Sequence, residues 1–459
     1  MTPSATPLVT DGDHAGEPAA PLLAAVSAGV VAFVLQWTNG MYRPFAVVLV
    51  TVAWVVALVA LFGRLRVPRG SLGIALGLIL ATSFGLLVTE PPTQDLVRSD
   101  ATLRAFACLV VLAAFGAGMG LSNPGFLSRA FPVIVGLHVI LGALVIRMAP
   151  SPKIDVWSIE MEAARALVHG ENPFAMTFVD IYGGTSKFFP PGVSVDGRLQ
   201  FGFVYPPLSL LLCIPGYLLG GDTRWSMLVA MGLAALLVGH CRPGTTPKLA
   251  ALVLLFTPRT FFVMDRAWTD AFVVLLTAAI CFCALRRPRW LFLPLGLYVC
   301  LKQHMFIGIP ALFLLLPRPI PWKFAGALTL KAAAVAAVVT LPMVLWNWHA
   351  FARSVLDIRE VFRTDSLGLI ALLHNTGTVT LSKWAGLVAI VPVAAFGYLR
   401  APRTPAGFAL LAGVTHFTLY VWSTHSFCNE YYNVFGALCC AVGAWGPPEE
   451  ALTPGSRGS

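Results

Sequence analysis

The chain has 459 residues, of which 57% are hydrophobic and 11% are charged, and its mean hydropathy is +0.79. A soluble domain of this length fills its core with far less apolar surface, so the composition excludes a soluble globular protein and indicates a polytopic helical membrane protein. The formal net charge is +10, but the basic residues lie in short loops between apolar runs, where they set membrane topology. This distribution argues against nucleic acid as a partner.

Residues 1–19 contain no basic stretch ahead of the first apolar run, so we expect a disordered cytoplasmic tail and not a cleaved signal peptide. Each of the next apolar runs is close to the roughly 20 residues that a membrane helix needs. These runs lie near 21–38, 44–63, 70–89, 101–121 and 130–148. Arg64, Arg66 and Arg69 follow the second run, so the positive-inside rule places the N-terminus in the cytoplasm and the residues after Met148 outside.

Residues 150–203 form a polar loop, and a loop of this length is expected to be functional. The apolar segment that follows, 206–221, is short and interrupted by prolines, which is typical of an interfacial or re-entrant helix. Basic loops then alternate along the rest of the chain, so we predict an all-α bundle of about 12–14 transmembrane helices with both ends in the cytoplasm. The expected parts are the tail 1–19, N-terminal transmembrane helices 20–148, an extracytoplasmic loop with juxtamembrane helices 149–224, a C-terminal transmembrane bundle 225–447 and a cytoplasmic tail 448–459.

With this topology, many ionisable residues collect on the outer side of the membrane. Charges at membrane depth are costly, and those that persist are usually functional. Carboxylates mixed with Lys and Arg indicate a site that removes a proton and receives an anion. The residues are Asp155, Glu160, Glu162, Asp265, Arg266, Asp270, Lys302, His304, Arg353, Arg359, Arg363, His425 and Glu430.

Asp155 lies on a short predicted helix on which Asp155, Ile159 and Glu162 share one side. It is either an interfacial carboxylate that solubilises this helix or a general base that accepts a proton from an attacking hydroxyl. Glu160 and Glu162 are interpreted as solvated residues of the helix.

Lys302 stands between two apolar runs. It is either a snorkelling lysine at a helix end or a cation that stabilises a phosphate leaving group, and Gln303 and His304 are candidate donors beside it. Arg359 lies on a predicted amphipathic helix that either meets lipid headgroups or binds a lipid phosphate. His425 falls in an aromatic-rich segment, which is typical of an interfacial belt and is also a candidate phosphate contact.

Three roles are open for the charged residues Asp265, Arg266 and Asp270. They form a local ion pair, they line an acceptor pocket, or they hold the Asp155 loop in place. Asp265 and Asp270 are poorly spaced for a metal clamp on one helix face, so no metal is expected. The nine cysteines include no Cys-x-x-Cys pair, which argues against a zinc site or a disulfide framework. The chain lacks a Walker A motif, so direct use of ATP is not expected.

Several short motifs occur in order along the chain. They are Asp155-x-Trp157, Ala164-x-Ala166-Leu167, Gly170-x-Asn172-Pro173-Phe174, Phe203-x-Tyr205-Pro206-Pro207-Leu208 and Lys302-Gln303. Together they resemble the GT-C superfamily of polyprenyl-phosphate-sugar glycosyltransferases, and most of all the bacterial integral-membrane glycosyltransferase family 87, which includes mannosyltransferases. The chain departs from that pattern because four apparent spans precede the one that leads into the Asp155 loop, where many relatives have that span first.

The resemblance implies an inverting transfer of mannose or a similar sugar from a polyprenyl-phosphate donor to a lipid or glycan acceptor. It places the site at the extracytoplasmic face of a multi-pass cell-membrane protein, with Asp155 in the first catalytic loop as the base and no cofactor beyond the lipid-linked donor. We expect Lys302 to stabilise the departing phosphate and Tyr205 to shape the cavity mouth. The alternative is a lipid or solute transporter or flippase, which predicts discontinuous spans and repeat-related halves.

Overall fold

The computed structural model describes residues 16–94, 96–97, 100–184, 189, 191–356, 363–377, 382 and 384–446. Arg359, most of the predicted N-terminal tail and the whole predicted C-terminal tail lie outside these ranges. The first half of the fold consists of α1 (Ala20–Thr38), α2 (Pro44–Phe62), α3 (Ser71–Thr89), α4 (Asp100–Ser122), α5 (Pro124–Met148), α6 (Asp155–Val168), α7 (Pro207–Gly220), α8 (Arg224–His240), α9 (Thr246–Phe256) and α10 (Pro258–Asp265).

The second half of the fold is also helical, and short strands occur only in loops of the described chain. Its helices are α11 (Asp270–Arg286), α12 (Phe292–Val299), α13 (Ile309–Leu312), α14 (Trp322–Trp346), α15 (Trp348–Val355), α16 (Leu369–Asn375), α17 (Ala385–Arg400), α18 (Pro405–Val421) and α19 (Cys428–Ala444). The strands are β1 (Glu17–Pro18), β2 (Arg66–Val67), β3 (Phe178–Val179), β4 (Ser194–Val195) and β5 (Arg198–Leu199).

Six helices are long and apolar enough to cross a membrane, namely α1 to α5 and α14. The number rises to eight if two bent pairs each count as one span: α7 with α8, which meet at 111°, and α9 with α10, which meet at 52°. The all-α architecture and the apolar helices of a polytopic membrane protein are therefore confirmed. The predicted count of about 12–14 spans is not, because several apolar segments of the second half, such as α17 and α18, form helices shorter than a full span.

The short α7 agrees with the interfacial or re-entrant helix expected at 206–221. It has 14 residues and turns sharply into α8. A helix of this length is about 21 Å long, which is less than the hydrocarbon thickness of a bilayer. Pro207 at its start and Gly221 in the left-handed conformation at its end fix both boundaries.

The loops that the sequence places outside meet at one end of the bundle, which we call the site end. The Gln36 amide donates to Glu90 at 2.7 Å, and the Val97 N–H donates to the Met148 carbonyl at 2.7 Å. At the opposite end, the Ala19 N–H donates to the Leu65 carbonyl at 2.9 Å, and β1 pairs with β2. The structure therefore groups the loops as the charge pattern predicts.

Residues between α5 and α7 fold into a unit with its own apolar core at the site end. Ile159 and Ala163 of α6 pack there with Phe174, Phe203 and Phe351. A three-stranded sheet in the order β3-β5-β4 closes the unit. This core fixes α6 against α7 and α15, so the side chains at the start of α6 have defined positions.

The orientation of α6 corrects one prediction. Its buried residues include Ile159, Glu160 and Ala163, and Glu160 is completely inaccessible to solvent. Glu162 is partly exposed and accepts from the Val179 N–H at 3.4 Å. The interpretation of Glu160 as a solvated residue was therefore wrong, because α6 packs on the side that carries Glu160 together with two alanines.

Candidate functional site

Asp155 is the first residue of α6, and two groups hold its carboxylate. The Val156 N–H donates to Oδ1 at 2.9 Å, and the Tyr182 hydroxyl donates to the same oxygen at 3.3 Å. Burial raises the pKa of Asp155 above its ordinary value and outweighs these two hydrogen bonds, which lower it. The residue keeps partial exposure. A carboxylate of raised basicity is thus held in a fixed orientation near the surface of the protein.

Tyr182 reaches Asp155 because Asp180 shapes the loop after β3. The Asp180 carboxylate accepts from the Tyr182 N–H at 2.9 Å and from the Gly184 N–H at 2.7 Å. A hydrogen bond from Ser194 on β4 is the main cause that holds the pKa of Asp180 below its ordinary value. Arg266 is the cationic neighbour of Tyr182. The turn therefore positions a phenol over the start of α6.

Beside this site, the buried side chain of Arg224 and its partners join four segments of the chain. We call Arg224 and the carboxylates of Asp222 and Asp265 the Arg224 centre. The Arg224 guanidinium donates to Asp222 at 2.7 Å, to Asp265 at 2.9 Å and to the Ala149 carbonyl at 2.8 Å. The Thr93 hydroxyl donates to the second oxygen of Asp265. The ion pair expected for Asp265 is therefore present, but its principal partner is Arg224 and not the adjacent Arg266, whose Nε lies 3.8 Å away.

The Arg224 centre also holds the first turn of α6. The Trp157 indole N–H donates to Asp222 at 3.4 Å, and the Arg224 guanidinium carbon lies 5.7 Å from the centre of the Trp157 ring. Sequence reasoning missed Asp222 and Arg224. The signal was the segment Asp-Thr-Arg immediately before an apolar run, since an arginine at such a position needs a partner once α8 is packed.

A second group of buried ionisable side chains consists of Lys302, Asp270 and the nearby Glu160, and we call it the Lys302 centre. Lys302 is 4% exposed, and its ammonium donates to Asp270 at 2.7 Å. The Asn433 amide of α19 donates to the other oxygen of Asp270. The ammonium also lies 5.6 Å from the ring centre of Tyr205. Lys302 is therefore not a snorkelling side chain, because its charge is neutralised inside the protein.

Tyr205 lies within the electrostatic influence of both Asp155 and the Lys302 centre. Burial is the main cause that raises the pKa of Tyr205, and the carboxylates of Glu160, Asp270 and Asp155 raise it further because they lie close to its hydroxyl. Asp155 therefore acts on Tyr205 through its charge, and the Lys302 ammonium lies near the ring of the same tyrosine. The structure brings together four of the residues that the sequence singled out, namely Asp155, Tyr205, Asp270 and Lys302.

The remaining predicted contacts have other surroundings. The Gln303 amide donates to the carbonyls of Val204 and Val355, so it braces the segment before α7. The His304 ring packs against His416 at 5.7 Å between ring centres. His425 is exposed and packs on Phe427 at 5.1 Å. These side chains do not point to one shared ligand position.

No metal-binding group of three or more His, Cys, Asp or Glu side chains occurs among the residues described. The buried carboxylates of Asp265 and Asp270 instead contact cationic side chains. Both carboxylates therefore act as counter-ions of buried cationic side chains.

Fold and site together define a class of protein: an all-α chain with several helices able to cross a membrane and a cluster of buried charges at one end of the bundle. No family model, curated protein or solved structure matches the chain.

Proposed function

We propose that this chain is a membrane-embedded glycosyltransferase of the GT-C type. It would transfer a sugar, mannose or a similar hexose, from a polyprenyl-phosphate donor to a lipid or glycan hydroxyl at the extracytoplasmic face of the cell membrane. The observation that supports the proposal most is the Asp155 carboxylate, which is oriented by Tyr182, made more basic by burial and still partly exposed. A general base must be accessible to the acceptor hydroxyl and basic enough to take its proton.

In the proposed reaction, Asp155 takes the proton of the acceptor hydroxyl as that oxygen attacks the anomeric carbon. The new glycosidic C–O bond forms while the bond between the anomeric carbon and the phosphate oxygen breaks, and polyprenyl phosphate leaves with the electron pair. Attack from the opposite face inverts the anomeric configuration. Because a phosphate ester leaves as a stable anion, the step needs a base but no general acid.

Lys302 is the proposed electrostatic partner of the leaving phosphate. Its ammonium already donates to Asp270 at 2.7 Å, but an ammonium has three donors and can keep this bond while it donates to a second anion. The ring of Tyr205 lies 5.6 Å from the ammonium.

The test uses membranes that contain the full-length protein and a panel of radiolabelled polyprenyl-phosphate sugars. We expect one sugar label to move to a lipid or glycan product with the wild-type protein and to stay on the donor with Asp155→Asn. Asp196→Asn is the matched control, since Asp196 is an exposed aspartate of the same unit in a left-handed conformation that asparagine adopts readily. Transfer by Asp155→Asn at the wild-type rate would remove the base assignment.

A lipid or solute transporter is the second candidate, and two observations favour it. Glu160, Asp270 and Lys302 are buried ionisable residues, which in membrane proteins often mark a transport pathway. The bent pairs α7 with α8 and α9 with α10 are interrupted helices of the kind found in transporters. Uptake of lipid or solute by proteoliposomes that contain Asp155→Asn would support transport, because the transfer mechanism needs Asp155.

A further inference from the structure

Two buried carboxylates of this protein share one cation, and only one of them bonds to it. Asp270 contacts the Lys302 ammonium at 2.7 Å. Glu160 is also completely buried and lies within the electrostatic reach of Lys302, but it makes no ion pair with it among the described contacts. One positive charge therefore serves two acidic groups in an environment where an unpaired charge is very costly.

The hydrogen bonds around Glu160 do not compensate for a negative charge. Among the described residues, its Oε2 accepts a hydrogen bond only from the Cys213 thiol, with 3.8 Å between the heavy atoms, which is a weak interaction. Its Oε1 is buried and has no hydrogen-bond partner within the described part of the chain. An ionised carboxylate normally attracts two or more strong donors when it is buried. The surroundings of Glu160 are those of a neutral acid.

We propose that Glu160 is a proton-binding site that is occupied at neutral pH, so that the Lys302 centre contains one neutral acid, one carboxylate and one ammonium. In this state the charges of Asp270 and Lys302 cancel. The proposal does not presuppose glycosyl transfer, because it is argued from the burial and the hydrogen bonds of Glu160 alone.

The groups that face Glu160 come from several elements and explain how its proton is held. Burial is the main cause that raises the pKa of Glu160 well above its ordinary value, Lys302 opposes this effect, and the nearby carboxylates add to it. If the bond between Lys302 and Asp270 opens, the freed ammonium favours release of the proton. The titratable neighbours are Cys213 on α7, Asp222 between α7 and α8, Asp270 on α11, and Tyr205 and Lys302 in loops.

The sign of the pH effect follows from the raised pKa. The folded protein holds this proton more tightly than the unfolded chain, so the stabilisation is complete below the unfolded pKa of about 4.3 and is lost as the pH rises through the raised value. Glu160→Gln imitates the neutral acid at every pH. We therefore expect the unfolding temperature of the variant to fall less than that of the wild type between neutral and alkaline pH.

Infrared spectroscopy of the full-length protein in lipid nanodiscs at neutral pH tests the proposal directly. We expect the wild type to show the carbonyl stretching band of a protonated carboxylic acid that Glu160→Gln lacks. The matched control is Glu162→Gln, two residues away on the same helix and partly exposed, which should keep the band. Identical carbonyl regions in the wild type and Glu160→Gln would overturn the proposal.

Thermal unfolding supplies a second readout at neutral pH, with Glu160→Met as an apolar variant of similar length. Both Glu160 variants should unfold at or above the temperature of Glu162→Gln, since they remove no charge from the wild-type protein. A marked loss of stability in both variants would show that Glu160 is an ionised partner of Lys302 and would contradict the proposal.

Discussion

The Arg224 and Lys302 centres contain similar ionisable side chains, but the contacts between those side chains differ. Each centre has one buried cationic side chain with two acidic side chains nearby. The guanidinium of Arg224 bonds both Asp222 and Asp265. The ammonium of Lys302 bonds Asp270, and Glu160 has no strong donor within the part of the chain that the structure describes. A planar fork with five donors can serve two carboxylates at once, while a compact ammonium here serves one.

The comparison separates a structural centre from an adaptable one. The Arg224 centre connects the end of α5, the start of α8 and the end of α10 through hydrogen bonds from the guanidinium. The Lys302 centre contains an acid, Glu160, that has one oxygen without a hydrogen-bond partner among the described residues. We infer that the first centre holds the site end together and that the second can change its protonation.

The largest expected effect is on stability and comes from Arg224→Met. The substitution leaves Asp222 and Asp265 without the cation that they share, and Asp265 is completely buried. Removal of one member of such a buried group costs about 3–5 kcal/mol of unfolding free energy. Denaturant titration in mixed micelles measures this loss, and Arg224→Lys should lie between the variant and the wild type. Wild-type stability of Arg224→Met would show that the centre does not hold the fold.

A smaller effect tests the adaptability of the Lys302 centre. Asp270→Asn should cost about 1.5–3 kcal/mol, the range for a charge-assisted hydrogen bond, because Glu160 can lose its proton and become the new partner of Lys302. Asp270→Asn combined with Glu160→Gln removes both partners and should cost about 3–5 kcal/mol. The double-mutant cycle therefore predicts strong non-additivity, and additive effects would contradict a shared cation.

The smallest effect concerns Tyr182→Phe. The variant loses one hydrogen bond to the Asp155 carboxylate, which is worth about 0.5–1.5 kcal/mol, so we expect transfer to slow by roughly 2- to 10-fold. The lost bond lowers the pKa of Asp155 in the wild type, so the acid limb of the rate profile should move to higher pH in the variant. An unchanged profile would mean that Tyr182 does not act on the base.

Much of the fold was predictable because it follows from apolar runs and basic loops. The helices α1 to α5, the grouping of loops at the site end and the short α7 were all expected from the sequence. The number of spans was not, because an apolar run of α17 or α18 does not reveal where a helix stops. An apolar segment has the same amino-acid composition whether its helix crosses the whole membrane or ends before it.

The site was predictable only in part. Asp155, Tyr205, Asp270 and Lys302 were singled out as charged or aromatic residues at the edge of apolar runs, and the structure brings them together. Arg224 was missed and Glu160 was wrongly interpreted as solvated, because their surroundings depend on partners 41 and 53 positions away in the chain, Asp265 and Cys213. Periodicity can indicate that a helix has a buried side, but it does not identify these distant partners.

The most direct measurement of the central claim is the initial rate of label transfer in membranes that contain equal amounts of wild type, Asp155→Asn and Asp196→Asn. If the Asp155 carboxylate removes the acceptor proton, Asp155→Asn should lose about 10²- to 10⁴-fold in rate, while Asp196→Asn retains the wild-type rate. Equal rates for Asp155→Asn and the control would contradict the account.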